Sequence, residues 1–195
     1  MATPYGTKTG YPATNPEPYD EAPRRAHRKL HCLDFILRVL TAMATAAAIV
    51  TLLFSVQTVR GVRVRWIDFG AFKYLMVANA VVCAYTILAA LASLIGVCTR
   101  RGPLSSTPIA WLTFLVDLLL ANALMAAAAA STALSWIGNR GESAARWAPN
   151  CGAFHRFCTR IGGSLIATYI AWIFLILSTI LAAIALHKLR RRVAY

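Results

Sequence analysis

Four long runs of apolar residues dominate the hydropathy pattern of this chain. They lie at 35–56, 74–98, 109–137 and 165–186, and each is nearly free of charged side chains. About 20 apolar residues in a helix cross the ~30 Å hydrocarbon core of a bilayer, and a helix satisfies its own backbone hydrogen bonds. Transmembrane β-strands would instead be short segments of alternating polarity. The pattern therefore predicts an all-α membrane protein, a four-helix transmembrane bundle.

The two ends of the chain are polar, which divides it into three parts. Residues 1–33 are polar and lack the apolar stretch that a signal peptide has near its start. We therefore expect a disordered cytosolic tail. The prolines that interrupt a helix there are Pro4, Pro12, Pro16, Pro18 and Pro23. Residues 34–187 form the four-span membrane domain and 188–195 a basic tail. We expect Gly162 and Gly163 to form a loop break before the fourth span.

Composition and charge agree with a membrane protein and suggest its orientation. Apolar residues make up 58% of the chain and charged residues 14%, about half the usual charged share of a soluble protein. The net charge is +13, and dense basic clusters at 24–29, 100–101 and 188–192 adjoin the spans. The loops 57–73 and 138–164 also carry arginines, but the positive-inside rule favours both termini in the cytosol. The clusters lack an aromatic platform, so they indicate lipid headgroups as partner and not nucleic acid.

Two cysteines in the second outer loop have a spacing that suits a disulfide. Cys151 and Cys158 would close a small loop on the oxidising side of the membrane. Metal binding, with His155 between them as a third ligand, is the alternative, although structural zinc sites use four ligands. We therefore expect a disulfide and no metal or other cofactor.

The remaining cysteines lie in or beside the spans. Cys32 and Cys98 fall at the inner membrane surface and are candidate palmitoylation sites, with an unmodified buried thiol as the alternative. Cys83 lies inside the second span and is expected to be a small packing residue.

Charged residues inside the apolar runs carry the most information. Asp117 lies deep in the third span, where a carboxylate needs a partner or a proton. Arg38 enters the first span from the same side and is the best partner in the sequence, which predicts an intramembrane ion pair. Alternatively, Arg38 extends to the headgroups or pairs with Asp34 one helical turn away. Asn79 and Tyr85 are expected to hydrogen-bond to neighbouring helices.

Several motifs resemble one plant family. The stretch 69–85, read FGAFKYLMVANAVVCAY, is similar to the second span of the Casparian strip membrane domain (CASP and CASP-like) proteins. Asp117 before alanine-rich sequence, Arg38 in the first span, and Trp147 followed by CGAFHRFC at 151–158 resemble the same family. The resemblance covers roughly residues 30–187.

The resemblance implies a plant plasma-membrane protein, more distantly related to MARVEL-type proteins. It implies self-association into homo- and hetero-oligomers with related family members. One region differs: residues 58–66 of the first outer loop are basic, where the founding members have aromatic and acidic residues. The chain therefore resembles the CASP-like branch, and the difference argues against a role at the Casparian strip itself.

Three function classes follow from these observations. The first is a scaffold that oligomerises, organises a membrane domain and, as the resemblance implies, recruits cell-wall-modifying enzymes. The alternative is a small-solute or ion transporter or channel that uses Asp117 and Arg38. The third, an enzyme, is not expected, because the sequence contains no nucleophile motif and no cluster of His, Cys, Asp and Glu.

Overall fold

Four helices account for most of the chain in the computed structural model, which describes residues 21–59, 61–98, 107–143, 146–149 and 151–193. In chain order the elements are α1 (Glu21–Leu53), β1 (Val56–Val59), β2 (Val62–Arg65), α2 (Gly70–Cys98), α3 (Thr107–Arg140) and α4 (His155–Val193). A short 3₁₀ helix at Trp66–Asp68 joins β2 to α2.

Each helix contains a segment that is long and apolar enough to cross a membrane. These segments are Cys32–Leu53, Gly70–Leu94, Pro108–Arg140 and His155–His187. Large apolar side chains are exposed on all four helices, as a lipid environment requires. The prediction of an all-α membrane protein with four transmembrane helices is confirmed.

The helices pack as a square bundle. α1 packs against α2 and α4, and α3 packs against the same two helices, so that α1 and α3 face each other across the diagonal. Leu52, Leu75, Leu124 and Leu175, one from each helix, are each less than 2% exposed. The core therefore lies along the central axis of the bundle.

The two loops between antiparallel helices meet at one end of the bundle, which we call the loop end. One loop is the β1–β2 hairpin, with Val56 opposite Arg65 and Val59 opposite Val62. The other is the segment 141–154 between α3 and α4. The hairpin was not predicted, although the alternation of valine and arginine at 62–65 is the pattern of a strand.

The first helix begins earlier than the predicted boundary between tail and membrane domain. Residues 21–33, which we expected to belong to the disordered tail, form the first turns of α1. Pro23 is compatible with this start, because the amide groups of the first turn have no partner within the helix. The rest of the predicted tail, residues 1–20, lies outside the described residues.

The fourth helix is longer than predicted at both ends. It begins at His155 and not at residue 165, so the predicted break at Gly162 and Gly163 is wrong: both glycines are helical. Each glycine costs about 1 kcal/mol relative to alanine, but Phe157, Ile161 and Leu165 form a buried stripe that packs into the core and offsets this cost. The helix also continues through the predicted C-terminal tail as far as Val193.

Candidate functional site: a buried ion pair and the loop end

The two predicted intramembrane charges meet inside the bundle. The Nη2 atom of Arg38 donates to Oδ2 of Asp117 at 2.9 Å, and Nη1 donates to Oδ1 at 3.3 Å. Arg38 is 3% exposed and Asp117 is fully buried. The guanidinium group and the carboxylate therefore face each other through two parallel hydrogen bonds, the geometry that makes this pair strong and directional.

Arg38 also contacts the alternative partner that the sequence offered. Its Nε donates to Oδ2 of Asp34 at 3.0 Å, one turn earlier in α1. The structure thus brings both carboxylates to one guanidinium group, which is buried inside the bundle. Since Asp34 lies on the same helix, the hydrogen bonds to Asp117 are the ones that link Arg38 to a different helix.

That contact spans the diagonal of the bundle. α1 and α3 each pack mainly against α2 and α4, and Arg38 with Asp117 joins the two opposite helices through the centre. Removing one partner of a buried pair leaves an uncompensated charge, which costs on the order of 3–5 kcal/mol in soluble proteins. The pair is therefore placed to determine how the four helices assemble.

Tyr85 of α2 is the third side chain around the pair. The guanidinium carbon of Arg38 lies 5.8 Å from the centre of its ring, a cation–π distance. Its hydroxyl lies near enough to Asp117 and Arg38 to interact electrostatically with both. Among the described residues, however, that hydroxyl has no hydrogen-bond partner of ordinary geometry.

A second polar contact joins α2 to α4 nearer the loop end. The Nδ2 of Asn79 donates to Oγ1 of Thr168 at 3.1 Å and to the carbonyl oxygen of Leu75 at 2.9 Å. Ser164 donates to the carbonyl oxygen of Ala48 at 2.9 Å, which links α4 to α1. We predicted interhelical contacts for Asn79 but not for Thr168 or Ser164. Their spacing of one helical turn is the signal that could have identified them.

The loop end is closed by a disulfide. Cys151 and Cys158 are bonded, with their Cα atoms 5.8 Å apart. The backbone N–H of Cys151 also donates to the carbonyl oxygen of Gly138 at 3.0 Å, which ties the loop to the end of α3. Since both sulfur atoms form the disulfide, neither can bind a metal ion together with His155. The residues that the structure describes contain no group of three His, Cys, Asp or Glu that could hold a metal ion.

The hairpin is attached to the start of α4. The side-chain oxygen Oε1 of Gln57 accepts from the backbone N–H of Phe157 at 2.9 Å. Arg160 donates from Nη1 to the carbonyl oxygen of Phe54, just before β1. The rings of Phe69, Phe72 and Phe157 also contact one another. These contacts hold the hairpin against the α4 end of the disulfide loop.

An open cavity of about 1160 Å³ lies beside the disulfide. Its walls are mostly apolar and include the aromatic rings of Phe154, Trp136 and Trp147, and its polar lining includes Arg146 and Ser135. This cavity could not be predicted from the sequence, because its walls come from the hairpin, α2, α3 and α4 together.

The candidate lipidation sites differ in what the structure shows. Cys32 is a free, exposed thiol near the start of the first span. Cys98 is the last residue of α2, and its side chain lies outside the described residues. Both remain predictions. Cys83 is half-buried, and its sulfur lies 3.7 Å from the carbonyl oxygen of Ala42.

Comparison with known proteins gives a consistent result. Residues 27–174 match the family defined as the Casparian strip membrane protein domain. CASP-like protein 1U3 of Physcomitrium patens is 45% identical over 182 residues, 91% of this chain and 96% of that protein. CASP-like protein 7 of Glycine max is 32% identical over 179 residues, 87% of this chain and 92% of that protein.

A relative from the branch named after the Casparian strip is also similar. Casparian strip membrane protein 4 of Ricinus communis is 31% identical over 175 residues, 85% of this chain and 90% of that protein. No solved structure matches the chain. The resemblance inferred from the residue motifs is confirmed by these matches.

Proposed function

The chain belongs to the Casparian strip membrane protein domain family, and from that premise we propose that it is a multi-pass plasma-membrane scaffold. It self-associates, also with related family members, and organises a domain of the membrane. Its termini lie in the cytosol and its loop end faces the cell wall, where it recruits cell-wall-modifying enzymes. The protein itself is not an enzyme.

The observation that carries this proposal is that the buried charges of the bundle pair with each other. Arg38 and Asp117 satisfy each other through two hydrogen bonds across the diagonal. Groups that are engaged in this way stabilise one arrangement of the helices, which suits a structural unit. A transport site would instead present polar groups to a passing solute.

The loop end supports an outward-facing role. Its disulfide suits an oxidising compartment. The hairpin presents Arg63 and Arg65 as exposed basic side chains, and these favour an acidic partner such as an anionic wall polymer or an acidic enzyme surface. Because this surface is basic, we propose that the domain organised by the chain differs from the Casparian strip.

The experiment that tests the scaffold function measures assembly in the plasma membrane. Two differently tagged copies, expressed together in plant cells, should co-purify, and a fluorescent copy should form patches with slow recovery after photobleaching. Monomers that diffuse freely and uniformly would contradict the proposal.

The alternative, a small-solute or ion transporter, uses the same two charges and is tested in purified vesicles. An ion flux that requires the wild-type protein and disappears in Asp117→Asn, while folded protein is retained, would favour transport. We expect no such flux, because the carboxylate of Asp117 is already occupied by Arg38.

A further inference from the structure

The side chain of Asn122 faces outward from the middle of α3. It lies ~20 Å along the third span at 1.5 Å per residue. Away from the first and last two turns of each span, it is the only exposed polar side chain among the described residues. An exposed amide at this depth meets hydrocarbon, which cannot replace the hydrogen bonds of water.

Part of the hydrogen-bonding capacity of this amide is unused. The Nδ2 of Asn122 donates to the carbonyl oxygen of Leu118 at 2.8 Å, within α3 itself. In the described part of the chain, its second N–H and its Oδ1 have no partner. By contrast, Asn79, the amide at mid-span in α2, is 1% exposed and bonded to Thr168. The bundle thus satisfies one mid-span amide internally and presents the other to the outside.

Asn122 occupies the centre of a regular exposed seam on α3. The seam repeats at alternating spacings of four and three residues, the pattern by which one helix packs along another. All of its members are exposed: Leu115, Leu119, Asn122, Ala126, Ala129, Ala133 and Trp136. α3 is also the span that the rest of the chain covers least, with 22% of its most apolar stretch buried against 33% in the other three.

We propose that Asn122 is the centre of the contact between two copies of this chain, with α3 packed in parallel against α3. This proposal rests on the self-association put forward above and assigns it to one face. Copies inserted in the same orientation are related by an axis along the membrane normal, so identical residues lie at identical depths. Asn122 therefore faces Asn122 of the partner subunit.

A second copy is the occupant that best fits the chemistry. A carboxamide both donates and accepts, so two of them facing each other are self-complementary. The headgroup of a lipid does not reach the middle of the bilayer, and its chains offer no hydrogen bond. Beyond Asn122 toward the loop end, Ala126 and Ala129 let two helix backbones approach closely, which favours the van der Waals contact that drives association in lipid.

Cysteine cross-linking in membranes tests which face is used. The free cysteines are first replaced by serine, and Ala126→Cys is compared with Ala84→Cys. Ala84 is an exposed alanine on α2. It is as many residues from the loop end of α2 as Ala126 is from the loop end of α3. We expect a cross-linked dimer from Ala126→Cys and none from Ala84→Cys. Cross-linking at Ala84 alone would show that the chain self-associates through another face, which overturns this inference and leaves the scaffold proposal standing.

Amide replacement tests the role of Asn122 itself. Asn122→Leu, close in size but without hydrogen bonds, should weaken dimerisation in lipid vesicles by about three- to twentyfold, the range of interhelical polar contacts in membranes. Asn122→Gln should retain most of the affinity. Because Asn122 bonds only within α3, the melting temperature of the monomer should not fall in either variant.

The outcomes separate the two proposals. An unchanged dimerisation constant in Asn122→Leu would overturn the assignment of Asn122, even if α3 cross-links. A wild-type protein that is monomeric in membranes by single-molecule photobleaching, and gives no cross-link at either alanine, would overturn the scaffold proposal together with this one.

Discussion

At the scale of single residues, Arg38 is the side chain that joins the two buried carboxylates. It bonds to Asp34 within α1 and to Asp117 across the bundle. The two carboxylates are not equivalent, because Asp34 would remain beside Arg38 if Asp117 were removed. Removal of Arg38 would leave two carboxylates without this cation.

This arrangement predicts unequal effects of two substitutions. Arg38→Ala should destabilise the folded protein by ~3 kcal/mol, and Asp117→Ala should destabilise it less, because Arg38 keeps Asp34. The double variant should be destabilised by less than the sum of the two single variants, because it leaves neither charge of the pair buried without its partner. Denaturation in detergent, followed by circular dichroism, measures all three free energies. Simple additivity would show that the pair contributes little, and equal single effects would show that Asp34 does not compensate Arg38 for the loss of Asp117.

A matched control distinguishes the pair from arginine in general. Arg65 is exposed on the hairpin, and its guanidinium group lies 4.0 Å from a carboxylate oxygen of Asp68. Arg65→Ala should therefore change the free energy of unfolding by less than ~1 kcal/mol, the usual range for exposed ion pairs.

At the scale of elements, the loop between α3 and α4 depends on a glycine at the end of α3. Gly141 has φ of +72°, and its N–H bonds to the carbonyl oxygen of Ile137 at 2.7 Å, as in a helix C-cap. A Cβ there would lie 2.6 Å from the carbonyl oxygen of Trp147. The position therefore requires glycine for both conformation and space.

Gly141→Ala should consequently lower the free energy of unfolding by at least ~1–2 kcal/mol, the penalty of left-handed backbone alone. Gly152→Ala in the same loop is the matched control, because nothing lies within 4 Å of an added Cβ there. Thermal unfolding of both variants in detergent measures the difference. Equal melting temperatures would mean that the loop adapts freely.

The disulfide predicts a separate contribution to the stability of this loop. Its cysteines are seven residues apart, and closing so short a loop is worth ~2.5 kcal/mol in the chain-entropy account. Replacing both Cys151 and Cys158 by serine should lower the free energy of unfolding by about that amount, whereas Cys32→Ser should not change it. Mass spectrometry after alkylation without reductant should find Cys151 and Cys158 unmodified. Free alkylation of both in protein from the cell surface would contradict the bond.

At the scale of the whole molecule, the bundle has two different ends. The loop end contains the hairpin, the disulfide and the apolar cavity, while the buried ion pair lies toward the end where the chain enters α1. The basic clusters of the sequence favour the loop end as the outer one. This orientation is open to a direct test.

An introduced thiol in the loop end should react with a membrane-impermeant reagent on intact cells. Ser143→Cys is suitable because Ser143 is exposed, whereas Thr7→Cys, which lies outside the described residues, should be protected. The background carries serine at Cys32, Cys83 and Cys98. Labelling at residue 7 together with protection at 143 would reverse the proposed topology.

The linear pattern of residues was sufficient for the membrane class, the four spans and the family. Spans of this kind are determined locally, because a helix in lipid satisfies its backbone within one continuous segment and needs no distant partner. The need of Asp117 for a partner is also determined locally, because a carboxylate within an apolar span requires one however the helices pack. Depth made Arg38 the best candidate for this partner, but Asp34 and the headgroups stayed open as alternatives for Arg38 until the packing of the helices was known.

Other features depended on contacts between segments that are distant in the chain. The start of α4 at His155 could not be read from Gly162 and Gly163, because the packing of Phe157 and Ile161 in the core outweighs their low helix propensity. The diagonal placement of the pair, the cavity at the loop end and the outward direction of Asn122 likewise depend on how each helix is rotated in the bundle. Helix rotation is decided by side-chain packing among all four helices, and periodicity along one helix does not determine it when every face is apolar.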